Sequence, residues 1–186
     1  MKHSIASLLM ISCLSLSASN NDFKLIIEPC WKDLEQCVYK TKFFGGKWIL
    51  VGSITFKKKS KESVDLNHLY LHWIGHPMER LVASLYKQQS NCKDCMPLEE
   101  NLVCDGIWNA KDQLLLFKFN DPQKLGFVNR YYVVLTVPPF LEPIIQQGHF
   151  QINPYQLPEQ FKQNIDSNNL CLSLKTTDNN TEQATT

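Results

Sequence analysis

The chain has 186 residues, with 19 Lys and Arg against 18 Asp and Glu, which gives a formal net charge of +1 at pH 7. Binding to nucleic acids and anionic lipids depends on clustered positive charge, which a nearly neutral chain does not indicate. The one basic cluster, Lys57 to Lys61, lies between two apolar segments and is typical of a solvated hairpin tip. The composition therefore predicts no nucleic-acid partner and gives no reason to expect an anionic lipid.

Residues 1–19 have the layout of a secretory signal peptide, with Lys2 first, then an apolar run from Ile5 to Leu16, then small residues. The run is too short to span a bilayer as a helix, which takes about 20 residues. We predict cleavage after Ser19 and an exported product that is periplasmic, on the cell surface or secreted. A lipid anchor at Cys13 is the alternative, because the preceding residues loosely resemble a bacterial acylation motif.

Residues 20–174 are expected to form a single domain, because no internal repeat and no Pro/Gly-rich linker divides them. No later stretch of about 20 apolar residues follows the signal segment, so no transmembrane segment is predicted in the mature chain. Residues 175–186 are polar apart from Ala184, and they are predicted to form a disordered tail.

The first half of the domain alternates apolar and polar residues with a period of two, which is typical of strands. The predicted strands lie at 23–27, 38–44, 47–57, 64–74 and 81–86, with the second and third joined by a Gly45-Gly46 hairpin turn. In the strand at 47–57, alternation places four residues on the core face: Leu50, Gly52, Ile54 and Phe56. The same alternation turns three residues toward water: Ser53, Thr55 and Lys57.

Three histidines, His68 and His72 in the strand at 64–74 and His76 just after it, are spaced four residues apart and raise the question of a metal site. On a strand this spacing separates neighbouring histidines by roughly 13 Å. One zinc ion, with bonds of about 2 Å, cannot bridge that distance. A helix would bring His68 and His72 to one face and is the alternative. The alternation favours a strand and predicts no metal site, no catalytic residues and no cofactor, with three side chains inward: Leu69, Leu71 and Trp73.

Once the signal segment is removed, six of the seven cysteines remain, and an even number in an exported chain indicates disulfides. The candidates are Cys30, Cys37, Cys92, Cys95, Cys104 and Cys171, and their connectivity does not follow from the sequence. Cys92 and Cys95 form a C-x-x-C motif, which also occurs in zinc sites and redox sites. The polar, proline-containing loop around them argues against a redox site. A zinc site would need two further ligands at matching spacing, and export favours oxidation, so a disulfide is the favoured interpretation.

The second half of the domain continues with short strands and adds little helix. The strands are expected at 102–104 and 107–108, joined by an Asp105-Gly106 turn, and at 114–119, 131–137, 150–152 and 170–174. The segment 131–137 is almost wholly apolar, which predicts a central strand buried on both faces. Residues 143–147 and 158–165 each open with a proline, as short helices often do.

The segment from Leu125 to Leu135 resembles the entry to strand F of fibronectin type III domains. Leu125 precedes Tyr131 by six residues and alternating apolar positions follow, although Phe127 stands where the family has a proline. The resemblance implies an all-β, immunoglobulin-like antiparallel β-sandwich, here of seven to nine strands with one or two short helices near the C-terminus. It also implies that Tyr131 is a corner tyrosine whose hydroxyl bonds the backbone upstream.

No catalytic or phosphate-binding motif occurs in the sequence. We predict a non-catalytic binding or structural module that contacts an unknown protein, glycan or apolar ligand. The expected contact loops lie at 43–46, 88–98 and 138–141, since rigid sandwiches commonly bind through loops. The first alternative is a carrier with a cavity for a lipid or another apolar ligand between the sheets. The second is a secreted hydrolase with His72 or His149 beside a carboxylate.

Overall fold

The structure, a computed structural model, describes residues 22–33, 47–89, 99–162 and 171–173. Within these ranges the chain forms nine strands and two short α-helices. The strands are β1 (Phe23–Asp33), β2 (Lys47–Lys58), β3 (Asp65–Ile74), β4 (Val82–Lys87), β5 (Leu102–Asn109), β6 (Leu114–Lys124), β7 (Val128–Val137), β8 (His149–Ile152) and β9 (Cys171–Ser173), and the helices are α1 (Glu142–Gln146) and α2 (Glu159–Lys162).

All nine strands belong to one sheet, in the order β1-β2-β7-β4-β5-β6-β3-β8-β9. Every pairing between neighbours is antiparallel. The first and last strands of this order, β1 and β9, approach each other, so the sheet is barrel-like. The all-β prediction is confirmed. The predicted two-sheet sandwich is not confirmed, because the hydrogen-bonded ladder continues through all nine strands.

The sheet turns a corner at Gly106 in the middle of β5. Before this residue β5 pairs with β4, and from Gly106 onward it pairs with β6. A Cβ atom on Gly106 would lie 2.5 Å from Leu115 Cδ1 and 3.3 Å from the carbonyl oxygen of Ala83, so a larger residue would displace the buried Leu115 side chain and crowd the Ala83 backbone. The predicted turn at Asp105-Gly106 is therefore wrong, and the strand continues through it. The predicted end of the strand at 119 is likewise wrong, because β6 reaches Lys124.

The core fills the inside of the sheet. Leu69, Leu71 and Trp73 of β3 point into it, which confirms the predicted alternation of that strand. Tyr131 to Leu135 of β7 are buried in succession, which confirms a central strand covered on both faces. The largest fully buried core side chains are Trp73, Tyr131, Phe56, Phe117, Phe150 and Phe161.

A β-bulge in β2 changes which residues face the core. Its pairing with β7 shifts register between Leu50 and Gly52, and the extra residue reverses the inward side of the strand. The inward residues are Ile49 and Val51 before the bulge and Ile54 and Phe56 after it. The prediction that Leu50 shares a face with Ile54 is wrong, since Leu50 packs on the outer side with Tyr132 and Val134.

Ser53 and Thr55 lie on the outer side of β2, as predicted, but they do not face water. Thr55 is 0% exposed, and its hydroxyl oxygen accepts a hydrogen bond from Arg130 Nε at 3.0 Å. Ser53 is also buried and donates to Glu28 Oε2 at 3.1 Å. Glu28 forms an ion pair with Arg130 at 3.0 Å, so β1, β2 and β7 share one polar network on this side.

Tyr131 does not form the hydrogen bond that the fibronectin type III resemblance implies. Its hydroxyl is buried and has no hydrogen-bond partner in the described part of the chain. Its ring packs edge-on against Phe56 and stacks near Phe119, with centroids 6.1 and 6.4 Å away. Within the described residues Tyr131 is therefore held by packing, and its buried hydroxyl is left unsatisfied by them.

Some of the remaining predicted segments are described by the structure, and others lie outside the described residues. Strands β8 and β9 and helices α1 and α2 lie at or within the segments predicted for them. The signal segment 1–19, the strand at 38–44 with its Gly45-Gly46 turn, and the tail 175–186 lie outside the described residues. Within those residues β2 pairs with β1 on one side and β7 on the other.

Candidate functional site

The outer surface of the sheet has two contrasting parts. We call the outer sides of β2, β7 and β4 the covered face, because Leu50, Tyr86, Tyr132 and Val134 are buried there. We call the outer sides of β5, β6, β3 and β8 the open face. On the open face Ile107 is 58% exposed, and Leu116 and Tyr70, its neighbours across the ladder, are half-buried.

A groove with a volume of 410 Å³ crosses one end of the open face. Its floor follows from strand register, because His72 of β3 pairs with Leu114 of β6 on one side and Gln151 of β8 on the other. The groove is lined by His72, Asp112, Leu114, Gln151, Ile152, Asn153, Pro154 and Tyr155. Its size is in the range usual for small-ligand sites, about 300–1,000 Å³.

The first wall of the groove is the turn between β5 and β6. Asn109 Oδ1 accepts hydrogen bonds from the backbone N–H groups of Lys111 at 3.1 Å and Asp112 at 3.3 Å. Asn109 Nδ2 donates to Asp112 Oδ2 at 2.7 Å, which fixes the carboxylate beside the groove. Asparagine favours such turns because its side chain can replace a backbone partner.

Gln113 ties this turn to the rest of the fold. Its φ angle is 51°, a left-handed conformation that non-glycine residues rarely adopt. Its side chain exchanges two hydrogen bonds with the backbone of Met78, accepting from N at 2.8 Å and donating to O at 3.0 Å. The backbone carbonyl oxygen of Gln113 accepts a hydrogen bond from the backbone N–H of Trp73 at 2.9 Å. These three bonds offset the backbone strain and make the turn rigid.

The second wall is a short 3-10 helix, Pro154–Gln156, that follows β8. Asn153 caps it by accepting a hydrogen bond from Tyr155 N at 3.0 Å, and Pro154 at the first position supplies a suitable φ angle. This cap holds Tyr155 at the edge of the groove with 84% of its surface exposed. The ring of Tyr155 is therefore accessible from the groove.

The strand that carries His72 is anchored by its neighbour Trp73. A Cβ atom on Gly148 would lie 2.2 Å from Trp73 Cζ2, so glycine is required where the indole passes under the start of β8. Trp73 Nε1 donates to the carbonyl oxygen of His76 at 2.9 Å, and its ring packs against Phe150 with centroids 5.0 Å apart. The groove floor is therefore fixed to the core.

The structure separates the three histidines, as strand geometry predicts. His72 lies exposed in the groove, His68 packs against the ring of Tyr70 with centroids 4.9 Å apart, and His76 lies exposed in the loop after β3. Among the residues described, no three His, Cys, Asp or Glu side chains are grouped as a metal ion would need. His149 is half-buried on β8, next to Ile74.

Two of the six disulfide candidates have described side chains, and both are half-buried free thiols: Cys104 and Cys171. Burial raises the pKa of Cys104 to about 11, with a smaller contribution from the negative charge of Asp105. Cys13 and three disulfide candidates, Cys37, Cys92 and Cys95, lie outside the described residues, and Cys30 lies in β1 with no description of its side chain. The disulfides therefore stay a prediction.

Sequence reasoning picked out only one groove residue, His72, and missed the others. The signals that were present are local: Asn109 and Asp112 are turn residues, and Asn153-Pro154 is a helix-start pattern. Of the three predicted contact loops, 43–46 and most of 88–98 lie outside the described residues, and 138–141 exposes Phe140 but buries Leu141.

Comparisons with known proteins return no match, whether to protein-family models, to curated proteins or to solved structures. No helix in the described part of the chain is long and apolar enough to cross a membrane.

Proposed function

We propose that this chain is an exported, non-catalytic binding module whose ligand is a neutral glycan, held in the groove on the open face. Export is supported by the signal-like composition of residues 1–19. The observation that carries the proposal is the exposed ring of Tyr155 beside a row of hydrogen-bonding side chains in one groove.

The ring of Tyr155 suits stacking against the face of a sugar ring. A pyranose presents C–H groups on its faces and hydroxyl groups around its rim, so it stacks on an aromatic face while its rim stays polar. The negative face of an aromatic ring attracts the weakly positive C–H hydrogens. A wholly apolar ligand would instead need a groove without polar walls.

The other groove residues suit the hydroxyl rim. Gln151 and Asn153 carry amides that both donate and accept hydrogen bonds, and Asp112 carries a carboxylate that accepts. Planar groups of this kind can bind two adjacent hydroxyls at once. Asp112 is the one carboxylate of the lining, and its charge disfavours an anionic ligand. These features together favour an uncharged, hydroxyl-rich molecule.

The walls of the groove are ordered before a ligand arrives. Asn109 and Gln113 fix one wall, and the Asn153 cap fixes the other. Preorganised walls reduce the entropy that binding must overcome, which matters for a ligand with many competing hydrogen bonds to water.

The proposal is tested by titration calorimetry with chitohexaose, maltohexaose and cellohexaose. We expect at least one to bind and Tyr155→Ala to weaken its binding about tenfold or more, because the stacking surface is lost. Tyr155→Phe keeps the ring and should retain most of the affinity. Phe127→Ala removes another exposed ring, at the opposite end of the sheet, and should leave binding unchanged.

Absence of binding by all three saccharides, or affinity that is unchanged in Tyr155→Ala, would contradict the proposal. Thermal unfolding of each variant serves as the folding control. Tyr155 is exposed, so its replacement should leave the unfolding temperature nearly unchanged.

The secreted hydrolase stays as an alternative because His72 and Asp112 line the same groove. No ion pair or hydrogen bond between them occurs among the described contacts, and the described partner of Asp112 Oδ2 is Asn109. Shorter saccharides appearing during incubation with the protein would favour the hydrolase. The carrier of apolar ligands has less support, because Trp73, Phe117 and Phe150 fill the inside of the sheet.

A further inference from the structure

A second surface lies at the end of the sheet opposite the groove. We call it the basic end and define it by Phe127 and Val128 together with the surrounding lysines Lys24, Lys57, Lys59, Lys61 and Lys124. Phe127 and Val128 are each 61% exposed, and all five lysines are exposed. Sequence alone shows only the lysines near 57–61, because the others come from distant segments.

Strand pairing brings these residues together. Lys57 of β2 pairs with Lys24 of β1 on one side and with Val128 of β7 on the other, so the three side chains share one outward row. The backbone N–H of Lys58 donates to the carbonyl oxygen of Phe127 at 2.8 Å, which fixes the loop that carries the ring. Two lysines placed directly across a ladder repel each other, and folding does not require this arrangement.

The charge of the basic end is only partly balanced. Three carboxylates lie on the same loops and strand ends: Asp22, Glu62 and Asp65. Glu62 Oε1 accepts a hydrogen bond from the neutral amide of Gln160, and Asp65 pairs across the ladder with Lys124. Five lysines against these three carboxylates leave a net positive charge around the exposed apolar pair. The nearly neutral net charge of the chain therefore hides a local positive surface.

We infer that the basic end docks on an anionic lipid bilayer. Phe127 and Val128 would enter the boundary between headgroups and acyl chains, while the lysines contact anionic headgroups with their charged ends in water. A protein partner would bury the apolar pair against a shaped surface, whereas a bilayer needs only an apolar tip with positive charge around it. The basic end has both of these features, an apolar tip and lysines around it.

Docking by this end would leave the groove free. From Asp65, next to Lys124 at the basic end, to His72 in the groove, β3 runs seven residues, or roughly 23 Å. The groove therefore lies toward the other end of the sheet from a bilayer that holds the basic end. The inference does not depend on the identity of the groove ligand.

The test is cosedimentation of the exported protein with vesicles of phosphatidylglycerol and phosphatidylcholine in equal parts, and with vesicles of phosphatidylcholine alone. Intact mass first establishes the mature N-terminus, which all variants share. We expect binding to the anionic vesicles, weakened by salt, and little binding to the neutral ones. Phe127→Ser and the double variant Lys24→Glu/Lys57→Glu should each reduce partitioning about tenfold or more.

Matched controls separate the basic end from nonspecific adsorption. Phe140→Ser removes another exposed phenylalanine, 74% exposed after β7, and Lys118→Glu reverses an exposed lysine on β6. Both should bind like the unchanged protein, and so should Tyr155→Ala. The inference is overturned if the protein sediments equally with neutral vesicles, if neither basic-end variant loses binding, or if the protein binds soluble heparin but no vesicles.

Discussion

The covered face and the open face belong to one sheet and share one core, yet they differ in what lies outside. On the covered face Leu50, Tyr132 and Val134 are buried, with at most 8% of each residue exposed. On the open face Ile107 and Leu116 keep part of their apolar surface in water. Burial on both sides indicates a structural role for the covered face, whereas the open face is free to bind.

The polar groups follow the same division. On the covered side of the sheet, Glu28 and Arg130 pair above the buried hydroxyl of Thr55. On the open face, Gln151 and Asp112 line a groove accessible to ligand. The polar groups of the covered side bond to each other, whereas those of the groove keep part of their hydrogen-bonding capacity for a ligand.

The largest expected difference between the faces comes from matched leucine truncations. Leu50→Ala should lower the free energy of unfolding by about 2–4 kcal/mol, because it leaves a cavity in a packed cluster. Leu116→Ala on the open face should cost less than about 1 kcal/mol, because the side chain is half-exposed. Urea unfolding measures both. Equal losses would show that the division into a covered and an open face is wrong.

A smaller difference is expected from removing one positive charge on each face. Arg130→Gln should cost about 1–2 kcal/mol, chiefly because the fully buried Thr55 loses its hydrogen-bond donor. The ion pair with half-exposed Glu28 adds little, since solvent screens it. Lys118→Gln, on exposed β6, should change stability by less than about 0.5 kcal/mol. A double-mutant cycle with Thr55→Val would confirm that the cost comes from this bond.

The sequence predicts best where one residue pattern has one physical solution. In β3 the alternation of Leu69, Leu71 and Trp73 allows only one inward face, and the structure confirms it. The run at 131–137 is apolar at successive positions, so both faces of the strand must be covered, and Tyr131 to Leu135 of β7 are buried in succession. Period and burial are local properties, so local sequence determines them.

Features that depend on pairing across the sheet are not readable from one segment. The bulge at Leu50 and Gly52 arises only when β2 pairs with β7, and it reverses the inward side. The corner at Gly106 arises because β5 pairs with β4 before this residue and with β6 from it onward. The groove joins His72 to Tyr155, and the basic end joins Lys24 to Val128, through registers that no local pattern specifies.

The smallest predicted effect compares a tyrosine inside the sheet with one on the open face. Tyr131→Phe should raise the free energy of unfolding by about 1 kcal/mol, because it removes a buried hydroxyl that has no partner among the described residues. Tyr70→Phe, half-buried on the open face, should leave stability within about 0.5 kcal/mol of the unchanged protein. A loss of stability in Tyr131→Phe would mean that the hydroxyl is satisfied after all.

Two groups, buried Tyr131 and half-buried Cys104, should make the stability of the protein depend on alkaline pH. Burial raises the pKa of Tyr131 far above its usual value of 10.0 and that of Cys104 from 9.0 to about 11. Between the unfolded and folded pKa values the folded chain binds more protons, so stability is full below about pH 9 and falls as pH rises. Cys104→Ala should remove the loss that begins near pH 9, and Tyr131→Phe the loss that begins near pH 10. Urea unfolding of both variants from about pH 8 to about pH 11 measures these slopes. Identical slopes in both variants and the unchanged protein would mean that other groups cause the alkaline loss.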